Sequence, residues 1–119
     1  MRTALDTAND YLAAWNETEP SARRHRLDAW HPDVRYRDPL MQADGRAALA
    51  EMIEGARAQF PGLSFRLQGT ADGHGPFVRF SWTLNPDAGP AVAAGTDVVR
   101  LDGSGRIVEI IGFMDEVRS

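Results

Sequence analysis

Three polar residues in otherwise apolar stretches could do chemistry in this chain: Tyr11, Asp38 and Asp97. Asp38 follows a short alternating segment, residues 34–37, and precedes Pro39. Proline cannot donate a hydrogen bond to a sheet, and it disfavours helix at the residue before it. The sequence therefore predicts a carboxylate at the end of a strand, which is a good place for a general base. The alternative is that Asp38 only caps a turn, because Asp before Pro is common in turns.

Asp97 lies in the longest predicted strand, residues 91–101. The alternation of a strand puts Asp97 on the same face as Gly95, Val99 and Leu101, which are residues typical of a core. A carboxyl group in such a setting loses hydration, so we expect its pKa to rise and the group to stay protonated. A protonated carboxyl group can donate a hydrogen bond to a ligand. A bulge that inverted the alternation would instead leave Asp97 in solvent.

Tyr11 belongs to a helix predicted over residues 3–17. Apolar residues recur there at steps of three and four, which is typical of an amphipathic helix. The predicted apolar face consists of Leu5, Ala8, Leu12 and Trp15. Tyr11 lies beside this face, and its alternative role is that of an aromatic residue at the core edge with a solvated hydroxyl.

Two further helices are predicted before the apolar period changes from that of a helix to that of a strand. The second runs from Pro20 to about Trp30, since proline suits a first turn and another proline follows at position 32. The third follows a polar loop, residues 41–45, in which Asp44 is the predicted N-cap. It ends near Phe60, where a Pro-Gly pair breaks the helical pattern.

Beyond residue 62 the apolar period changes from 3.6 to 2, which indicates strands. The alternation predicts strands over 63–68, 78–84, 91–101 and 106–114, separated by turns rich in glycine and proline. The whole pattern predicts one α+β domain over residues 1–119. In it, three N-terminal helices pack on one face of a curved, mostly antiparallel sheet.

The composition excludes several classes of function. The 119 residues contain no cysteine, and all 13 basic residues are arginine, so thiolate and lysine chemistry are excluded. The net charge of −4 without a basic run argues against a nucleic-acid partner. The absence of a long apolar run argues against a membrane, and the N-terminus lacks the apolar region of a signal peptide. We therefore expect a cytoplasmic protein.

Over nearly its whole length the chain resembles the ketosteroid isomerase and SnoaL-like polyketide cyclase branch of the NTF2-like superfamily. Residues 11–16, 36–39 and 96–106 carry the resemblance. It implies that Asp38 is the general base, and that Tyr11 and a protonated Asp97 donate hydrogen bonds to the developing enolate oxygen. The resemblance also implies a conical pocket, no metal or organic cofactor, and a homodimer formed through the outer sheet face near Arg79 and Arg100.

The alternating pattern also suggests which residues form the pocket walls. We expect a pocket of a few hundred Å³, the usual size of a small-molecule site, for a small hydrophobic ligand. The predicted walls are Trp15, Met52, Phe60, Phe65, Trp82 and Phe113. The same residues could equally be plain core.

Other activities of similar proteins are less well supported. Relatives that hydrolyse epoxides have an Arg-x-Asp arrangement on the long strand, whereas position 95 here is Gly95. Dehydratase relatives use paired pocket histidines, whereas His25, His31 and His74 are predicted at the surface, and no metal site is expected. Three hypotheses stay open: an isomerase or cyclase, a ligand-binding protein without turnover, and an assembly module that acts through its sheet face.

Overall fold

The computed structural model describes residues 2–115, and within them three helices pack against one six-stranded sheet. The helices are α1 (Ala4–Asn16), α2 (Pro20–Leu27) and α3 (Arg46–Ala58). The strands are β1 (Arg35–Arg37), β2 (Gln42–Asp44), β3 (Ser64–His74), β4 (Phe77–Asn85), β5 (Ala93–Leu101) and β6 (Ile107–Asp115). The strand order is β2-β1-β6-β5-β4-β3, and β1 runs parallel to β6 while the other described pairs are antiparallel. The predicted α+β architecture is confirmed.

The segment after Asp38 differs from the prediction. Residues 41–45 were expected to be a polar loop, but β2 forms there and pairs with β1, with Ala43 opposite Tyr36. The N-cap of α3 is Gly45, at φ 90°, and not Asp44. Asp44 instead accepts a hydrogen bond from Arg37 Nη2 at 2.9 Å. The prediction was wrong because the hairpin uses Asp44 in a cross-strand ion pair before the helix begins.

Strand β3 is longer than predicted and is bent. It continues through residues 72–74, which were expected to form a turn, and it ends only before Gly75 at φ 54°. Its register with β4 shifts between Gln68 and Asp72, next to Gly69 at φ 72°. A bulge of this kind bends a strand and increases its twist. The sheet therefore curves around the helices, and its inner face forms a concave surface.

Helix α1 packs into this concave surface. A capping box between Thr3 and Asp6 starts the helix, and its buried side includes Ala8, Tyr11, Leu12 and Trp15. Leu5, predicted on the same face, is 49% exposed, so burial starts one turn later. At the far end of the helix, Asn16 accepts from the backbone N–H of Phe65 at 2.7 Å and donates to its carbonyl at 2.8 Å. These two bonds fix α1 against β3.

Aromatic rings fill the interior behind Tyr11. Its ring stacks on Trp30 with 5.7 Å between centroids and is tilted against Phe80 at 5.3 Å. Trp30 lies just past α2, which ends at Leu27 rather than at the predicted residue 30. None of the helices among residues 2–115 is long and apolar enough to cross a membrane.

Candidate active site

A cavity of about 100 Å³ opens on the concave side of the sheet, at the end away from Trp30. Tyr11, Asp38 and Asp97, the three residues predicted to be catalytic, all line it. Tyr11 comes from α1, Asp38 from the end of β1, and Asp97 from the middle of β5. The fold therefore brings together groups that lie up to 86 positions apart in the sequence.

Most of the residues predicted to form the pocket walls do line this cavity. Four of the predicted wall residues line it: Trp15, Phe60, Phe65 and Trp82. Met52 does not, since it packs against the core cluster instead. Phe113 is 53% exposed and pairs with Thr96, whose side chain lies on the outer face of the sheet. The prediction for Phe113 was wrong because β6 turns this residue outward and its neighbour Met114 inward. The cavity is also smaller than the few hundred Å³ that we expected.

Asp38 both caps a turn and faces the cavity. Its Oδ1 accepts hydrogen bonds from the backbone N–H groups of Leu40 and Met41, each at 2.7 Å. Its Oδ2 accepts from the hydroxyl of Tyr36 at 2.6 Å. The two interpretations of Asp38 are therefore compatible, because Oδ1 holds the turn while Oδ2 lies on the cavity side with Tyr36.

Asp97 is only 3% exposed, in agreement with the predicted alternation. The indole Nε1–H of Trp82, on the neighbouring strand, donates to its Oδ1 at 3.2 Å. Burial raises the pKa of Asp97 to about 6, although hydrogen bonds from Tyr11 and Trp82 oppose the rise. The group is therefore half protonated near pH 6, and the expectation that it stays protonated holds only below that pH.

Tyr36 is a member of the site that the sequence interpretation did not assign. It is 4% exposed, and burial followed by its hydrogen bond to Asp38 raises its pKa far above the ordinary value. A signal was present in the sequence, because residues two apart on a strand share a face. Tyr36 precedes Asp38 by two positions, so the formation of β1 was enough to make the two side chains neighbours.

The hydroxyl of Tyr11 lies in the same cluster of polar side chains as Tyr36 and Asp97. Burial first, and then the charge of Asp97, raise its pKa well above the ordinary value, so it stays protonated. Beside it, the Nε1–H of Trp15 is buried and has no hydrogen-bond partner among residues 2–115. An unpaired buried donor is costly unless a ligand supplies the acceptor. The Trp15 donor is thus available to a ligand oxygen, whereas the Tyr11 hydroxyl already interacts with Asp97 and would have to turn from it to the ligand.

Two glycines make room for this arrangement. A Cβ at Gly112 would lie 3.0 Å from Asp97 Oδ1 and 3.2 Å from Asp38 Cβ, so Gly112 lies between the two carboxyl-bearing residues. A Cβ at Gly95 would lie 2.3 Å from the ring of Trp82. Trp82 can therefore cross β5 and reach Asp97 only because position 95 has no side chain.

The histidines lie away from the cavity. His25 and His74 are exposed, and His74 lies against Phe77. His31 Nδ1 accepts from the backbone N–H of Asp33 at 2.9 Å. Among residues 2–115, no three His, Asp or Glu side chains come close enough to hold a metal ion.

Comparison with known proteins places the chain in a family. A family model described as a SnoaL-like domain matches residues 8–110. No curated protein matches the chain. The crystal structure of a candidate isomerase of the SnoaL-like family from Agrobacterium tumefaciens is 52% identical to it. The match covers 97% of this chain and all of the other, with a TM-score of 0.91.

More distant structures share the fold. A Catenulispora acidiphila protein with a ketosteroid isomerase-like fold, in complex with trimethylamine, is 17% identical over 92% of this chain and 85% of its own, with a TM-score of 0.74. A candidate polyketide cyclase from Sinorhizobium meliloti is 16% identical over 93% and 99%, with a TM-score of 0.71. The family match over residues 8–110, the similarity to the Agrobacterium protein and the shared fold lead to one conclusion: this chain is a member of the SnoaL-like family of NTF2-like proteins.

Proposed function

We propose that this protein is a cofactor-independent isomerase or cyclase, which moves a proton at the carbon next to the carbonyl of a hydrophobic, steroid- or polyketide-like ketone. The observation that carries the proposal is the convergence of Tyr11, Asp38 and Asp97 on one cavity with otherwise mostly apolar walls. A cavity that only bound an apolar ligand would need few polar groups for orientation. The Agrobacterium relative, a candidate isomerase, agrees with this class of reaction.

Asp38 is the base in this proposal. Its carboxylate takes a proton from the carbon next to the carbonyl, the electrons of the broken C–H bond form an enolate, and the proton later returns to another carbon of the same molecule. No oxidant or second substrate is needed. Tyr36 holds the carboxylate through its 2.6 Å hydrogen bond, which orients the base towards the cavity.

The enolate oxygen is stabilised by donors on the other side of the site. Tyr11 keeps its proton at neutral pH because burial raises its pKa. Asp97 donates when protonated, and the bond from Trp82 to Oδ1 leaves Oδ2 to carry the proton. The unpaired Nε1–H of Trp15 is a third donor. Donors that are already oriented in a water-poor site stabilise developing charge effectively.

A binding protein without turnover is the second candidate. Its support is the small, mostly apolar cavity, together with a relative of the same fold that holds a small molecule, trimethylamine. Such a protein would bind ketones but would not exchange their protons, which gives a direct way to separate the two candidates.

The test is proton exchange measured by NMR. Hydrophobic ketones that can enolise, including a 3-keto-Δ5 steroid and smaller cyclic ketones, are incubated with the protein in D2O. We expect deuterium to appear next to the carbonyl faster than in buffer alone. If every ketone that binds exchanges at the rate of buffer, the isomerase proposal fails and the binding protein takes its place.

We also propose that the protein forms a homodimer through the outer face of the sheet. Apolar side chains on β5 and β6, including Val98, Ile111 and Phe113, cover this face, and Phe113 is 53% exposed. Charged pairs flank them, such as Arg100 with Glu109 at 3.1 Å. Sedimentation at micromolar concentration should give a dimer, and Phe113→Asp should give a monomer. A wild-type monomer would contradict the proposal.

A further inference from the structure

Arg57, in the last turn of α3, lines the active-site cavity and has an unpaired buried nitrogen. Its Cζ lies 5.6 Å from the centroid of the Phe65 ring, which is itself a cavity wall. Its Nη1 is buried and has no hydrogen-bond partner among residues 2–115. Contact with the ring face restricts the guanidinium group, but it leaves this N–H without an acceptor.

In the described part of the chain most of the other arginines form ion pairs, although Arg23, Arg46 and Arg66 do not. Within residues 2–115, eight arginines form ion pairs with carboxylates: Arg2, Arg24, Arg26, Arg35, Arg37, Arg79, Arg100 and Arg106. Arg57 forms none with the described residues. Glu54, one turn earlier on α3, has its Oε1 3.9 Å from Arg24 Nε of α2, and this oxygen is itself buried without a hydrogen-bond partner among residues 2–115. The positive charge beside the cavity is therefore not neutralised by an ion pair in the described chain.

A second guanidinium group adds to this positive charge. Arg23 is 3% exposed and donates only to backbone carbonyls, those of Ala14 and Glu17. Burial and the charge of Arg23 both lower the pKa of Arg57. An anion at this place would relieve the repulsion between the two cations and would provide the missing acceptor.

We propose that Arg57 binds an anionic group of the ligand, so that the substrate is a ketone that also carries a carboxylate. The ketone part of this statement rests on the proposed function. The body of the ligand lies among the aromatic walls, with its carbonyl near Tyr11 and its carboxylate beside Arg57. The two aspartates of the site repel the carboxylate and so favour the same orientation. The cavity volume of about 100 Å³ is smaller than the cavity of about 150 Å³ that holds one benzene molecule, so the cavity encloses at most a single ring and the rest of the ligand extends from its opening.

The test compares two probes that differ only in charge, acetophenone and 4-acetylbenzoate. Their binding to the full chain is followed by calorimetry and by the fluorescence of Trp15 and Trp82, which line the cavity. We expect the carboxylate to bind about tenfold more tightly or better at low salt, since a charge-assisted hydrogen bond is worth about that much. High salt should reduce the difference.

Substitutions of Arg57 test whether this residue causes the preference for the carboxylate probe. Arg57→Met should remove the preference for 4-acetylbenzoate over acetophenone, while Arg57→Lys should keep part of this preference. Arg66→Gln changes an exposed arginine on the outer face of β3 and serves as the control that should keep it fully. Circular dichroism checks that each variant is folded. Equal binding of the two probes to the wild type, or a full preference in both Arg57 variants, would overturn the proposal.

Proton exchange of the same two probes by the wild type separates this inference from the proposed function. If the carboxylate preference persists while neither probe exchanges its protons in the wild type, the isomerase proposal fails and the role of Arg57 stands. If protons exchange but the preference is absent, the isomerase proposal stands and the anionic substrate is wrong.

Discussion

The two carboxyl groups of the site lie on either side of Gly112 but in different surroundings. Asp38, near the cavity mouth, accepts two hydrogen bonds from backbone N–H groups and one from Tyr36. Asp97, on the central strand β5, is 3% exposed, accepts a bond from Trp82 at 3.2 Å and interacts with the hydroxyl of Tyr11, but has no backbone N–H donor among residues 2–115. Loss of hydration without full replacement by hydrogen bonds raises the pKa of Asp97 to about 6.

In the proposed mechanism, this difference allows one fold to use one amino acid for two tasks. A carboxylate held by backbone donors at the end of a strand keeps its position, as the proposed base requires. A carboxyl group on the inner face of the sheet takes up a proton at a higher pH than a free aspartate does, as the proposed donor requires. Pairs of groups whose surroundings separate their protonation in this way are typical of acid–base sites.

The largest effect is expected from Asp38→Asn. The amide is almost the same size but cannot accept the substrate proton, so exchange should fall by about 100- to 10,000-fold, the usual value of a general base. Ligand affinity should change little. Asp72→Asn, an exposed aspartate on β3, is the matched control. Proton exchange by NMR and calorimetry measure the two quantities, and exchange at the wild-type rate would remove Asp38 as the base.

Asp97→Ala should have the next largest effect, since it removes a donor to the enolate oxygen. We expect a loss of about 1–4 kcal/mol in transition-state stabilisation. Asp97→Asn should be milder because an amide still donates a hydrogen bond. The ratio of kcat/KM between the two variants measures the value of the donor. Equal activity of the alanine variant and the wild type would argue that Asp97 only fills space.

Asp97→Asn should also stabilise the protein at neutral pH. The folded-state pKa of Asp97 is raised from 3.8 to about 6, so the folded protein binds this proton more tightly than the unfolded chain. The resulting stability is fully present below about pH 4 and is lost as the pH rises through about 6. The variant should therefore match the wild type near pH 4 and exceed it by about 3 kcal/mol at pH 7.5. Urea unfolding across this range measures the difference, and a difference that does not change with pH would contradict it.

The smallest effect is expected from Trp82→Phe. The ring still forms a cavity wall, but the Nε1–H that stabilises the ionised form of Asp97 is lost. The pKa of Asp97 should rise further, by about one unit. NMR titration of the Asp97 carboxyl group gives the value directly. If the pKa is unchanged, the 3.2 Å contact between Trp82 and Asp97 does not stabilise the ionised carboxylate in solution.

Local patterns in the sequence were enough for most of the fold. Helical spacing located α1 and α3, and alternation located the first half of β3, β4 and the two faces of β5, because these periods follow directly from backbone geometry. The same alternation placed Asp97 on the inner face, where it is 3% exposed. Pro39 marked the end of β1 and thereby the position of Asp38. All of these inferences depend on neighbours within a few residues.

Contacts between distant segments decided the rest. Strand β2 forms because Gln42–Asp44 pairs with β1, and its polar composition gives little sign of this. Phe113 points outward and Met114 inward because of the register of β6 on β5, which an apolar pair in sequence does not reveal. The approach of Asp38 and Asp97 across Gly112, and the unpaired nitrogen of Arg57 at the cavity, depend on the packing of several elements. Periodicity gives the face on which a residue lies, but only the assembled tertiary structure determines which residues that face contacts.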